Sequence, residues 1–409
     1  MNDRTHVTIH NTRYEATDAV SYHQDAFPPS QLDLAQLIGP QTDAAMALVK
    51  YDTELRQLPR SELLLAPLRA RDAVVSSRME GTISTLEEVL RLEADADEEG
   101  LPNTAREADL EVALYARALR QAETALREGY KFSNHVVKNA HRTLLYTGRG
   151  ARNRPGDYKR QQNYIGERRA QRIDYIPVAP EGLQSGMDKL FAFANMERQE
   201  DGILPLLRVA MVHAEFEALH PFEDGNGRLG RMLIPLMLWK QGLLSAPHFF
   251  VSDYFESHKD EYVERLRMVS KNGEWSAWCA FFCTALCVQA KANLQTIGQI
   301  KAHYEDMRER FRDLLRSRWS TDALDYIFAN PIFRNNRFKR NSGIPPQTAN
   351  SFTNKLVEAG LLRVLIPPAG QAPGMYAFSS LLEIVADPGV NGNVITAPSS
   401  PVTNRPLPP

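Results

Sequence analysis

The sequence predicts a mainly α protein with a small β-hairpin near its middle, an N-terminal helical region and a separate C-terminal unit. Three observations carry that prediction. Apolar residues recur at helical spacing through most of the chain, as at Leu110, Val112, Leu114, Leu119 and Ala122. Short β-prone runs cluster in two places, around Tyr164 to Ile176 and beyond Leu361. At 409 residues the chain is too long for one core, so two or three domains are expected.

A composition of 43% hydrophobic and 24% charged residues is that of an ordinary globular protein. A formal net charge of −2 argues against whole-protein attraction to nucleic acid. Met1 to His10 is polar and lacks an apolar signal core, and no apolar stretch is long enough to span a bilayer. The expectation is a cytoplasmic protein with no membrane contact. Cys279, Cys283 and Cys287, spaced i, i+4, i+8, exclude a disulfide framework. They lie among Trp275, Trp278, Phe282 and Leu286 and read as buried small hydrophobes, not as metal ligands.

Taken in order, residues 1 to about 30 look irregular and end at Phe27-Pro28-Pro29. Ser30 to Leu55 reads as a helix. Another starts at Ser61, with Pro67 in its early turns, where a missing N–H does least harm. It carries Ser76-Ser77-Arg78-Met79-Glu80-Gly81, which puts Ser76 and Glu80 on one face a turn apart and offers Gly81 as a C-cap. Ser84 with Glu87 forms a capping-box pattern before Leu86 to Leu92, and Glu93 to Glu99 reads as a solvated acidic loop. Helices are expected at Thr104 to Glu128 and Ser133 to Leu145, the second containing His141 in a packing or surface role.

Asn163-Tyr164-Ile165-Gly166 and Ile173-Asp174-Tyr175-Ile176-Pro177 then read as a hairpin. Helices resume at Glu181 to Met196 and Leu204 to Ala218, and again from Trp275 to about Leu315. The last unit shows helix Thr321 to Phe328, a basic stretch Arg334 to Arg340, helix Pro346 to Ala359 and two β-prone runs. That order resembles a winged helix, which commonly binds DNA through its second helix. Here that helix is polar with a single lysine, so contact with DNA and a role as a protein-interaction module stay open alternatives. The expected divisions are 1–104, 105–315, 316–385 and a disordered Pro-, Asn-, Ser- and Thr-rich tail at 386–409.

One stretch concentrates chemistry: His220-Pro221-Phe222-Glu223-Asp224-Gly225-Asn226-Gly227-Arg228-Leu229-Gly230-Arg231, followed at once by an apolar helix-like run. A Gly-flanked loop feeding a helix exposes backbone N–H groups at the positive end of the helix dipole, a site suited to phosphate. Asp224 can hold a hard divalent cation. Arg228 and Arg231 can clamp phosphate oxygens, and His220 can move a proton near neutral pH.

The string H-x-F-x-D-G-N-G-R-x-x-R resembles the active-site motif of the Fic (filamentation induced by cyclic AMP) family at every position. The Ser76 to Gly81 string resembles the inhibitory helix motif of one large class of that family. There the glutamate pairs with the second motif arginine, here Arg231. The hairpin at Tyr164, Ile165 and Gly166 resembles the flap that registers a target segment by strand-like pairing. In relatives, the segment after the motif helix lines the base pocket, often with paired tyrosines. This chain has Tyr262-Val263, which leaves Tyr262 as the matching residue.

The resemblance implies a Fic catalytic core at 105–315 that transfers AMP from ATP, as substrate, to a Ser, Thr or Tyr hydroxyl of a protein target, or of the chain itself. His220 would accept the hydroxyl proton, and Asp224 would hold Mg2+ (or Mn2+). The backbone of Gly225, Asn226 and Gly227, with the Asn226 side chain, would cradle the phosphates, with Arg228 on the β-phosphate and Arg231 on the γ-phosphate. It also implies homodimers and reverse hydrolysis of AMP-modified targets. Alternative readings are transfer of another phosphate-containing group, a DNA-binding regulator that uses the core as a nucleotide sensor, and a toxin.

Overall fold

Residues 6–9, 12–58, 60–96, 105–167, 169–370 and 372–386 are described by the computed structural model. The 387–409 tail and the 97–99 end of the acidic run lie outside them. The architecture is mainly helical with two small sheets.

The first 30 residues correct the sequence reading. They contain β1 (His6–Ile9), β2 (Thr12–Glu15) and β3 (Val20–Ser21). β1 and β2 pair antiparallel. The N-terminal region is therefore not wholly helical. Its strands are short: β1 pairs with its neighbour β2, and β2 and β3 lie along a distant strand, Arg172–Ile176.

Helix α1 (Leu34–Gln57) begins later than Ser30, because the Asp33 carboxylate accepts the N–H groups of Ala35 and Gln36 and caps the helix there. The helix expected from Ser61 is broken into α2 (Ser61–Leu64) and α3 (Ala66–Met79), with Pro67 in the first turn of the second piece. Gly81 follows with φ +85°, which lets the chain reverse after Glu80. The capping box of α4 (Leu86–Asp95) is one residue later than expected, formed by Thr85 and Glu88. Ser84 instead donates to Asp109 at 2.5 Å. Glu93 to Asp95 are helical, not loop.

Two helices, α5 (Glu107–Arg127) and α6 (Asn134–Leu144), precede a hairpin of β4 (Ile165–Glu167) and β5 (Arg172–Ile176). The strands pair antiparallel, Ile165 opposite Tyr175 and Glu167 opposite Arg172, with a register shift between Ile165 and Gly166. A side chain at 166 would collide with the backbone of Arg172 and Ile173, so glycine is required there. Tyr164 lies just before the strand. β2 and β3 run parallel to β5 at Glu15↔Arg172 and Val20↔Tyr175.

The core continues through α7 (Pro180–Ala194), α8 (Arg198–Asp201), α9 (Pro205–Leu219), α10 (Asn226–Lys240), α11 (Ser252–Ser257), α12 (Lys259–Asn272) and α13 (Trp275–Leu315). α10 and α9 are apolar nearly all round and sit at the centre, as buried helices must. α13 runs 41 residues and packs along α1. Cys279, Cys283 and Cys287 are free and buried along it.

The C-terminal unit follows the order α14 (Ser320–Ala329), β6 (Ile332–Arg334), α15 (Asn335–Asn341), α16 (Pro346–Glu358), β7 (Arg363–Ile366), β8 (Met375–Ala377) and α17 (Ser379–Ala386). Its antiparallel sheet has the order β6-β8-β7. Ile332, Met375 and Ala377 share an apolar cluster with Ala70, Leu90 and Ala94, so this unit packs on the two helices flanking Glu80. Among the described residues no helix is long and apolar enough to cross a membrane.

Candidate active site

α9 ends and α10 begins around a six-residue turn, His220 to Gly225. His220 caps α9 in the left-handed conformation, φ +45° and ψ +61°. Gly225, φ +78°, enters α10, so the first N–H groups of the helix open toward the same space as His220. Phe222 is fully buried and stacks on the His141 ring with centroids 3.7 Å apart. The expected role of the Asn226 side chain in cradling phosphate meets a different geometry. Its Oδ1 accepts the Phe222 N–H at 2.9 Å and its Nδ2 donates to the Phe222 carbonyl at 2.8 Å. The Asn226 side chain is thus engaged with the loop itself.

Arg231 is 2% exposed and reaches back to α3. Its Nε donates to Ser76 Oγ at 2.9 Å, and its Nη2 donates to the Ser76 carbonyl at 2.8 Å and to Glu80 Oε1 at 2.7 Å. A Cβ at Gly227 would collide with that same Glu80 oxygen, so the Glu80 carboxylate lies at the positive end of α10. Burial alone would raise the Glu80 carboxyl. The charge and hydrogen bond of Arg231, with Arg228 and Lys259 behind, outweigh it and hold the group below its ordinary value.

Arg228 is buried, with Nη1 3.3 Å from Glu111 Oε2 and Nη2 3.7 Å from Asp224 Oδ1. Its Nε has no partner, nor does His220 Nδ1, so two buried nitrogens are left without a hydrogen bond. Burial first, and Lys159 second, push His220 down to about 4, so its imidazole is neutral at pH 7. Asp224 keeps 30% of its side chain exposed; Oδ1 accepts the Gly225 N–H at 2.6 Å. Among the described residues no three His, Cys, Asp or Glu side chains gather as a metal cage. A single open carboxylate fits Mg2+, which commonly uses one or two carboxylates, waters and substrate phosphates.

Glu111 and Glu217 were not singled out from the sequence, and His141 was read there only as a packing or surface residue. Glu111 balances Arg228 and also accepts from Thr82 Oγ1 at 2.8 Å. His141, expected in packing or at the surface, is buried and bonded at both nitrogens. One meets the Asp224 carbonyl at 2.9 Å and the other accepts the Gly156 N–H at 2.8 Å. Glu217 has a buried Oε1 with no partner, and burial raises its carboxyl to about 8, against the pull of Arg231 and with Glu80 adding to it. Nothing in spacing alone marks these three.

Tyr262 is brought to Arg231 but not to an open pocket. It is 4% exposed, its hydroxyl is 2.9 Å from His213 Nε2, and its ring packs against Phe255. Ser76, Glu80, Asp224, Gly225, Asn226, Gly227, Arg228 and Arg231 converge on one locus beside His220. Tyr164, Ile165 and Gly166 are linked to it through the adjoining Asn163.

Two family models match the chain: Fic/DOC family over residues 131–238 and Fic/DOC family N-terminal over residues 40–124. The chain is similar to the "Protein adenylyltransferase Fic" of Culex quinquefasciatus, 28% identical over 116 residues, 28% of this chain and 20% of that protein. A Drosophila mojavensis protein of the same name is 32% identical over 87 residues, 21% of this chain and 16% of that protein. The matches thus span a fifth or less of these insect relatives. Among solved structures, a Fic family protein from Desulfovibrio desulfuricans aligns at TM-score 0.53 and 18% identity, covering 86% of this chain and 98% of that one.

Proposed function

The chain belongs to the Fic/DOC family, and from that premise we propose that it is a protein adenylyltransferase restrained by its own Glu80. The supporting observation is the convergence of a neutral imidazole, a helix N-terminus, one open carboxylate and two arginines, with a built-in carboxylate lying where an anion would bind.

In the proposed reaction the target hydroxyl oxygen bonds to the α-phosphorus of ATP, the bond from that phosphorus to the bridging oxygen breaks, and pyrophosphate leaves. His220 accepts the hydroxyl proton. Its low proton affinity rises once the negative triphosphate is beside it. The N–H groups at Gly225, Asn226 and Gly227 bind phosphate oxygens, and Arg228, already steadied by Glu111, meets the β-phosphate. Arg231 takes the γ-phosphate only after releasing Glu80. Asp224 would hold Mg2+ (or Mn2+), whose contribution when bound is to neutralise charge on the phosphates.

The target is a protein segment with a Ser, Thr or Tyr hydroxyl. β5 is flanked on one side by β4 and on the other by β2 and β3, so the free strand edge beside the site is that of β4, next to Tyr164, Ile165 and Gly166. We read residues 316–385 as a winged-helix-like interaction module in preference to a DNA reader. Arg334 Nε is 2.6 Å from Asp95, and Arg337 bonds the Glu93 carbonyl, so part of the basic stretch is turned inward.

The test is incubation of wild type, Glu80→Gly and His220→Ala with lysate and ATP labelled at the α-phosphate. Labelled protein should increase in Glu80→Gly and vanish in His220→Ala. Equal labelling by all three would overturn the reading. Label from the γ-phosphate instead would favour transfer of another group.

A further inference from the structure

His220 holds a left-handed backbone, a strained conformation for a non-glycine residue. The carbonyls at the end of a helix such as α9 also lack intrahelical partners. Both needs are met by one short segment just ahead of the hairpin. Lys159 Nζ donates to the Leu219 carbonyl at 3.1 Å, and Lys159 N–H donates to the Pro221 carbonyl at 2.9 Å. Asn163 Nδ2 donates to the carbonyls of His220 and Phe222, both at 3.0 Å. Four consecutive carbonyls, Leu219 to Phe222, are thus held by two residues. Lys159 Nζ also donates to Asn163 Oδ1 at 2.8 Å, so the pair acts as one brace.

Given the transfer proposed above, we infer that Lys159 and Asn163 are positioning residues, which lock the His220 backbone and make the proton acceptor and the target-registering hairpin one mechanical unit. Asn163 lies two residues before β4, and Gly156, on the near side of Lys159, is tied to His141 beneath the motif loop. A target strand added to β4 is therefore referenced to His220 through two side chains, not through a long loop. Such referencing matters because small misplacements of reacting groups are costly.

The brace also carries charge. Lys159 is 3% exposed, and both acceptors of its ammonium are neutral. Its positive charge disfavours a second one on the neighbouring imidazole and keeps His220 an acceptor. The Glu80 and Asp224 carboxylates and the Glu217 carbonyl act on His220 in the opposite direction. Burial lowers Lys159 itself to about 7.

The test uses the full chain. The imidazole titration of His220, assigned by its loss in His220→Ala, is followed by NMR in wild type, Lys159→Met and Lys159→Arg. Lys159→Met should raise the midpoint by about half a pH unit or more, and Lys159→Arg should keep it near wild type. In the Glu80→Gly background, Asn163→Ala should lower kcat about tenfold or more with KM for ATP within about twofold, because the phosphate-binding groups on α10 are untouched. An unmoved midpoint in folded Lys159→Met, or an unchanged kcat in Asn163→Ala, would overturn the inference. Should Lys159→Met fail to fold, the Asn163→Ala split decides it. Should Glu80→Gly transfer no AMP at all, the proposed reaction falls and the titration alone decides the brace.

Discussion

Arg231 Nη2 lies 2.7 Å from Glu80 Oε1, an ion pair between residues 151 positions apart. The Arg231 side chain is 2% exposed and the Glu80 side chain 38%. The arginine is thus fixed, held also by two contacts to Ser76, while the glutamate is the partner able to leave. An arginine holding a carboxylate in this way has no fork left for a phosphate.

The first prediction concerns that competition. Glu80→Gly should tighten ATP binding at least about tenfold by calorimetry, the scale of one charge-assisted hydrogen bond released. Ser76→Ala, which keeps the carboxylate, should gain only about twofold to threefold. The Glu80 carboxyl is held below its ordinary value, so the stabilisation from ionised Glu80 is present above the ordinary carboxylate range and is lost as pH falls through the lowered value. The ratio of Glu80→Gly to wild-type affinity should therefore stay flat from about pH 6 to 8. A ratio that collapses in that window would count against the pair as the restraint.

Asn226 closes its own loop through the Phe222 N–H and carbonyl. Asn226→Ala leaves a buried N–H unpaired and should cost about 2–3 kcal/mol in urea denaturation, besides removing activity. A variant of wild-type stability that only weakens ATP would show the side chain to be a phosphate ligand instead.

Glu217 offers a titration. Burial raises its carboxyl to about 8, so the folded protein keeps it protonated where the unfolded chain ionises it. Stability from this group is full below its ordinary value near 4.5 and declines as pH rises through about 8. Glu217→Gln, which cannot ionise, should leave stability little changed at pH 4 and become progressively stabilising toward pH 9. Denaturation midpoints across that range would read it. A constant difference at every pH would contradict it.

Tyr262 separates a core role from a base-pocket role. Tyr262→Phe loses the hydroxyl contact to His213 and should cost about 1 kcal/mol while leaving KM for ATP within about twofold. Tyr262→Ala should cost about 3–5 kcal/mol through the cavity left against Phe255 and Trp278. A large KM effect in Tyr262→Phe without loss of stability would restore the base-pocket reading.

Local pattern accounts for much of what was legible. Helices α5, α6, α7, α9, α10 and α13 follow from apolar spacing and the hairpin strands from their β-prone runs, whereas α8, α11 and α12 were not read from the sequence. Caps were legible only to within a residue: Thr85 competes with Ser84, and the choice falls to Thr85 because Asp109 takes the Ser84 hydroxyl. Strands β1 to β3 were not read from the sequence; β1 pairs with its neighbour β2, while β2 and β3 meet the distant β5, a pairing that no local pattern reports.

By itself the sequence determined the reacting loop, because His220, Asp224, Arg228 and Arg231 occur within a dozen contiguous residues whose spacing dictates a shared turn and helix start. Tertiary structure alone decided what holds those groups and what they are spent on. Glu111 steadies Arg228, Lys159 and Asn163 brace His220, and the Asn226 amide turns inward to Phe222. Periodicity reports only which face of an element is apolar. Which buried donor meets which acceptor is settled when distant elements pack, because each such group must find a partner once water is excluded.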